Sequence, residues 1–216
     1  MNQNAIYRCY SAGPDLFPRK LPDGSFEEWK DSEARARQQN QIISSVPEFE
    51  AITPANTDLA RYDDDLQARI CMLKDVLLAS QCDIVFANVT PFGGREPDSG
   101  TVVEAVTCAL AGKLLVLWAN PLTTYEERYT DADVRPYSDL DDHNNLMLEQ
   151  LFYKSWEDYF GCCHPTFSSL EAAVQETIKQ IREHGGLHRQ EITLLDQVNQ
   201  VGYHGDLPAA IDQLLK

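Results

Sequence analysis

Asp83–Trp118 reads DIVFANVTPFGGREPDSGTVVEAVTCALAGKLLVLW, and the alternation of apolar and turn-forming residues along it decides the fold class. Residues 83–89 (DIVFANV) and 113–118 (KLLVLW) are apolar almost throughout. Short runs of this kind, bounded by turn residues, predict strands of a parallel sheet buried on both faces. Between them, residues 90–98 carry Pro91, Gly93, Gly94 and Pro97 and predict a loop. A helix is then expected over 99–111, ended by Gly112. Strand, crossover helix and strand form one βαβ unit.

The flanking sequence extends the pattern. Residues 5–12 (AIYRCYSA) predict a first strand, followed by the turn Gly13-Pro14 and a loop to Gly24. A helix is expected over 25–45, with Ser25 and Glu28 as a capping box and Pro47 beyond its end. Residues 49–52 predict a short strand. Over 58–81, Leu66, Ile70, Leu73, Val76 and Leu77 recur at helical intervals. Further helices are expected over 145–160, over 169–184 with Ser168 or Ser169 near the cap, and over 191–201 and 207–215. The expected architecture is an α/β domain with an open, mostly parallel five-stranded sheet and helices on both faces, Rossmann- or flavodoxin-like, plus C-terminal helices. Residues 1–185 are expected to form that domain and 186–216 a helical extension packed on it. Ligands of such sheets bind beyond the carboxyl ends of the strands, which singles out the loops 12–17, 88–98 and 118–129.

Composition narrows the function. A formal net charge of −16 would repel phosphate backbones and anionic lipid, so neither a nucleic-acid polymer nor a membrane is expected as partner. A neutral small molecule is indifferent to that field. The first residues lack the basic start and apolar core of a secretory signal, and no apolar run approaches the length of a membrane span. Of the six cysteines, three sit in apolar stretches and read as buried thiols, which fits a reducing, cytoplasmic setting. Cys162-Cys163-His164 has no second cluster to complete four ligands, so no metal site is expected. The acidic stretch 131–142 reads as a solvated loop.

Chemistry concentrates in Pro97-Asp98-Ser99-Gly100-Thr101-Val102-Val103-Glu104. The segment joins a strand-end loop to a helix start, which brings both carboxylates to the ligand end of the sheet. Asp98 or Ser99 is placed to cap the helix, and Gly100 leaves the backbone open to a substrate. Glu104 lies about one turn inside, where the positive helix end is expected to favour its ionised form on an outward-facing side chain. Two carboxyl groups so placed suit glycosyl transfer, one attacking the anomeric carbon and one handling the leaving group's proton. Phe17 and Phe92, in two of the front loops, could stack on a flat base.

The stretch 83–118 resembles the core of the nucleoside 2-deoxyribosyltransferase family. Tyr10-Ser11-Ala12-Gly13-Pro14-Asp15-Leu16-Phe17 is similar to that family's first strand and loop, and Asn145-Leu146-Met147 to a segment that members present to a neighbouring subunit's site. The three motifs occur in the family's order. The resemblance implies that Glu104 is the nucleophile forming a covalent 2-deoxyribosyl ester, that Asp98 assists the nucleobase as an acid, and that Tyr10 orients Glu104. It implies that Asn88 contacts base or sugar, and that Asn145 and Met147 of a partner subunit reach the 5′-hydroxyl. Gly13, Phe17 and Gly100 complete the expected substrate site. Strand alternation puts Tyr7 and Tyr10 on opposite faces, and Tyr10 is the residue expected to meet Glu104.

The function so implied is transfer of 2-deoxyribose between nucleobases in nucleoside salvage, by a homodimer or higher homo-oligomer whose sites are completed across subunits, with no metal or organic cofactor. The partners are a deoxynucleoside and a free nucleobase. A deoxynucleoside or deoxynucleotide N-glycosidase is the enzymatic alternative; a nucleotide hydrolase needs a phosphate cradle of serines or arginines near the first loop and the cross-subunit segment, where the match of Asn145-Leu146-Met147 implies a free 5′-hydroxyl instead. A nucleoside-sensing domain is the non-enzymatic one.

Overall fold

β-Branched and leucine-rich runs build the centre of the molecule. In the computed structural model, which describes residues 5–21, 23–52, 63–128 and 146–188, the strands are β1 (Tyr7–Ala12), β2 (Phe49–Ile52), β3 (Ile84–Asn88) and β4 (Leu114–Trp118). Every residue of β3 and β4 is buried, as the unbroken apolar runs require. All pairings are parallel and the order is β2-β1-β3-β4. Among the described residues the sheet has four strands where five were expected. Beside β4 the next place holds a single parallel bridge, Trp118 with Phe167.

The helices are α1 (Trp29–Ser44), α2 (Asp64–Ser80), α3 (Ser99–Leu110), the single turn α4 (Tyr125–Arg128), α5 (Leu146–Phe160) and α6 (Leu170–Glu183). On one face α1 and α6 pack together and against the sheet; α2, α3 and α5 cover the other. None of them is long and apolar enough to cross a membrane. Helix signals in the sequence are mostly met. Asp63 caps α2 through Leu66 N, Ser169 caps α6 through Ala172 N, and Gly112 adopts φ 68° where α3 ends. The expected capping box of α1 does not form. Asp23 takes both the amide and the hydroxyl of Ser25, at 2.9 and 2.6 Å, so the helix starts four residues later, at Trp29. The expected helices over 191–201 and 207–215, most of the 186–216 extension, the acidic stretch 131–142 and Asn145 lie outside the described residues.

The strand order creates the site. From β1 the chain steps outward to β2, then returns across β1 to β3 and β4, so the connections diverge between β1 and β3. At such a switch point the two loops leaving the carboxyl ends part and leave a crevice. Those loops begin at Gly13 and Val89. α5 runs antiparallel to β4, because Ser155 and Tyr159 near its end bond Lys113 O and Gly112 O at the amino end of β4. Its beginning, with Met147, therefore lies towards the carboxyl edge that carries the crevice.

Candidate active site

Tyr10 sits on β1, fully buried, with its side chain towards α3. Its hydroxyl donates to Glu104 Oε1 at 3.0 Å, across 94 residues of sequence. Tyr7 faces the other way, and its hydroxyl accepts from Leu187 N at 3.1 Å beyond α6. The structure thus brings together the pair that strand alternation and the resemblance selected.

Glu104 is not the outward-facing, readily ionised carboxylate expected from its place in the helix. It is half-buried in the second turn of α3, and burial pushes its pKa up to about 7. The Tyr10 hydrogen bond opposes that rise, the negative charges of Asp75 and Asp98 add to it, and Lys74 offsets part of it. Desolvation outweighs the helix end here because the dipole acts mainly on the first turn. Burial, the nearby Glu104 charge and Asp75 together raise the Tyr10 phenol far above its ordinary value, so it remains a neutral donor. Burial also raises the pKa of Asp75 on α2, against the ion pair with Lys74.

A carboxyl group that ionises near 7 when folded and near 4.5 when unfolded weakens the fold as pH rises between those values. In that window the folded state holds a proton that the unfolded chain has lost. Glu104→Gln removes the effect and keeps an acceptor for Tyr10. The rise in pKa corresponds to about 3 kcal/mol, so its Tm should exceed that of the parent by about 7–14 °C at pH 8 and converge towards it near pH 4.5, as read by thermal unfolding across pH.

Asp98 caps α3, its Oδ2 accepting from Thr101 N at 2.9 Å and from Thr101 Oγ1 at 3.1 Å. Oδ1 takes no hydrogen bond among the described residues. Gly100 serves this cap, because a Cβ there would lie 3.0 Å from Asp98 Oδ2. Asp98 and Ser99 border an open depression of about 550 Å³ completed by Phe92, Gly94, Arg95, Glu96 and Pro97. Phe17 is half exposed and its ring lies 6.2 Å from that of Phe92, which makes an aromatic lip from the first and second front loops.

Asn88 lies at the crevice floor, but both ends of its amide are engaged by the protein. Nδ2 donates to Asp15 Oδ2 at 2.6 Å, and Oδ1 accepts from Thr90 N at 3.1 Å and Thr90 Oγ1 at 2.6 Å. Gly13 fits against this pair because a Cβ would meet Asn88 Cβ at 2.9 Å. Met147 is 76 % exposed at the start of α5. The sequence reading missed Asp15 and Thr90. Asp15 follows Gly13-Pro14 directly, which placed it at the strand end, but its partner is 73 residues away. Among the described residues no cluster of three or more His, Cys, Asp or Glu could hold a metal ion. Cys9, Cys82 and Cys108 are buried free thiols, while Cys162 and Cys163 are exposed.

Comparison with solved structures adds the fold. A 2-desoxiribosyltransferase from Leishmania mexicana superposes with TM-score 0.57 at 23 % identity, over 80 % of this chain and 97 % of that one. The chain shares that enzyme's fold. A conserved protein from Enterococcus faecalis matches with TM-score 0.50 at 19 % identity, over 82 % of this chain and 99 % of its own. A 2-deoxyribosyltransferase from Bacillus psychrosaccharolyticus reaches TM-score 0.45 at 13 % identity, over 85 % of this chain and 98 % of that one. No family model and no curated protein matches the sequence.

Proposed function

We propose that the protein transfers 2-deoxyribose between nucleobases through a glycosyl ester on Glu104. The observation that carries this reading is the Tyr10–Glu104 hydrogen bond of 3.0 Å, held beside the capping carboxylate Asp98 at the sheet's switch point. Likeness of fold to the Leishmania enzyme supports it.

In the first step the bond from C1′ to the base nitrogen breaks, and its electron pair leaves with the base. Asp98 delivers a proton to the base, and the Glu104 carboxylate closes a bond to C1′ as positive charge develops there. In the second step an acceptor base attacks C1′, its proton passes to Asp98, and the ester electrons return to Glu104. Two inversions restore the configuration. Tyr10 holds Oε1 and leaves Oε2 to attack. The lip of Phe17 and Phe92 receives the flat base, with Asp98 Oδ1 beside it. Asn88 shapes the floor through Asp15 and Thr90 instead of touching the substrate. Gly13 keeps that floor low.

Two arginines lie near the first loop, as a phosphate cradle would require. Both are already matched: Arg19 bonds Asp15 at 2.8 Å, and Arg35 bonds Glu27 at 2.6 Å. Their neutralised charge favours a free 5′-hydroxyl over a 5′-phosphate. Incubation with deoxynucleosides, with and without a second base, tests the reading. A new deoxynucleoside formed only with acceptor is expected. Free base and deoxyribose in equal yield whether or not acceptor is present would make the protein a hydrolase, and binding without turnover a sensor.

Self-association belongs to the same proposal. On α2, Leu66, Leu73 and Leu77 share one helical face and are exposed, and Val103 on the neighbouring α3 is exposed too. An apolar stripe of this kind, crossed by the exposed Arg69, suits a second copy of a chain carrying −16, and the exposed Met147 would then serve a partner's site as the family resemblance implies. Leu73→Asp with Leu77→Asp should give a monomer in sedimentation and lower transfer at least about tenfold, since one lost buried contact of this kind is worth that much. Full activity in the monomer would contradict shared sites.

A further inference from the structure

Asp15 is 4 % exposed and lies in the short turn Pro14–Leu16 directly after β1, yet neither the helix caps nor the Tyr10–Glu104 pair uses it. A carboxylate so deep is costly unless every lone pair direction is met. Here Oδ1 accepts from Arg19 at 2.8 Å and faces Arg35 at 4.0 Å, while Oδ2 accepts from Asn88 at 2.6 Å. The chain of bonds continues. Asn88 Oδ1 receives the amide and hydroxyl of Thr90, and Thr90 Oγ1 in turn accepts from Asn120 N at 2.9 Å. Carboxylate, amide and hydroxyl therefore join the loops that leave β1, β3 and β4. Arg35 adds a branch, its second nitrogen donating to Phe17 O at 3.0 Å. Each member has its donor or acceptor role fixed by its neighbour, so the amide of Asn88 has one orientation only.

The geometry points to Asp15 as a positioning residue: through Asn88, Thr90 and Asn120 on one side and Arg35 on the other, it sets the three carboxyl-end loops, and with them the aromatic lip of Phe17 and Phe92, at one spacing for the nucleobase. This rests on the transferase reading for the identity of the ligand, but the loop clamp itself does not. A one-atom change exposes it. Asparagine at 15 cannot accept at both positions, so it faces either Arg19 or Asn88 with donor against donor. Aspartate at 88 alone sets two carboxylates against each other at the present 2.6 Å contact. The double exchange Asp15→Asn with Asn88→Asp reverses the direction of that bond, leaves the charge unchanged and satisfies Thr90 again.

The test compares Asp15→Asn, Asn88→Asp and the double variant, each first shown by circular dichroism to be folded. Amide hydrogen exchange is followed at Thr90 and Asn120, and kcat and KM are measured for a deoxynucleoside. Either single variant should speed exchange at both amides about tenfold and raise KM about tenfold, the loss of one buried hydrogen bond, with kcat within about threefold. The double variant should return both quantities towards the parent. Unchanged exchange at Thr90 and Asn120, unchanged KM with faster exchange, or a double variant no better than the singles would each overturn the assignment. Absence of turnover in the parent, with the exchange pattern intact, would remove the transferase reading and leave the clamp.

Discussion

Glu104→Gln should fold, bind deoxynucleoside and transfer its sugar at least about 10³-fold more slowly than the parent, because a group that acts as the covalent nucleophile has no substitute in the site. The glutamine keeps the shape of Glu104 and the hydrogen bond from Tyr10, now 3.0 Å to a carboxylate oxygen. It removes the negative charge that would meet C1′ as the base departs. The raised stability expected of the same variant above pH 7 sharpens the result. A burial that pushes Glu104 up to about 7 is a cost to the fold, and on the proposed reading that cost maintains a desolvated carboxylate poised to attack. Loss of activity with gain of Tm separates a functional carboxylate from a structural one. Rates of transfer from single-turnover quench, compared between parent and variant, give the magnitude. A variant that retained activity within about tenfold would mean that another group attacks the sugar.

Tyr10→Phe carries the second large effect, and its signature is a moved pH profile. The phenol is neutral throughout the working range and donates to Glu104, which steadies the ionised carboxylate. Only ionised Glu104 can attack, so kcat/KM should rise with pH through about 7 in the parent. Without the hydroxyl the carboxylate loses a charge-assisted hydrogen bond of about 1.5–3 kcal/mol, so the acid limb should shift upward by about one to two pH units. At pH 7 that amounts to a fall of about 10–100-fold, most of it recovered near pH 9. Phenylalanine fills the same buried volume on β1, so the fold is expected to persist. A uniform loss at all pH values, with the limb unmoved, would assign Tyr10 to shape alone.

The sheet was legible because its central strands carry side chains that have nowhere to go but inside. DIVFANV and KLLVLW could only be buried on both faces, and β3 and β4 are. Alternation along β1 separated Tyr10 from Tyr7 without any tertiary information, and their hydroxyls find partners on opposite faces. Helix starts were legible to within one residue where capping side chains stand next to each other, Asp98 being chosen over Ser99 and Ser169 over Ser168, and were misread at Ser25, which Asp23 captures. The ionisation of Glu104 was misread for a different reason: a helix-end argument uses position along one element, whereas burial depends on what β1 and α2 place over it. Asn88 and Asp15 show the same limit. The carboxylate that the Asn88 amide bonds comes from 73 residues away, a partner that no local pattern announces. No segment of the sequence marked out the fifth strand that was expected, and the Trp118–Phe167 bridge takes only a single step towards it.

The most direct test of the central claim is the intact mass of the protein after brief incubation with a deoxynucleoside, without acceptor base, followed by acid quench and peptide mapping. The account predicts a mass increase of one deoxyribosyl group on the peptide containing Glu104, removed on adding a free base before the quench and absent from Glu104→Gln. Turnover by the parent with no such adduct at Glu104, or an adduct on another residue, would contradict it.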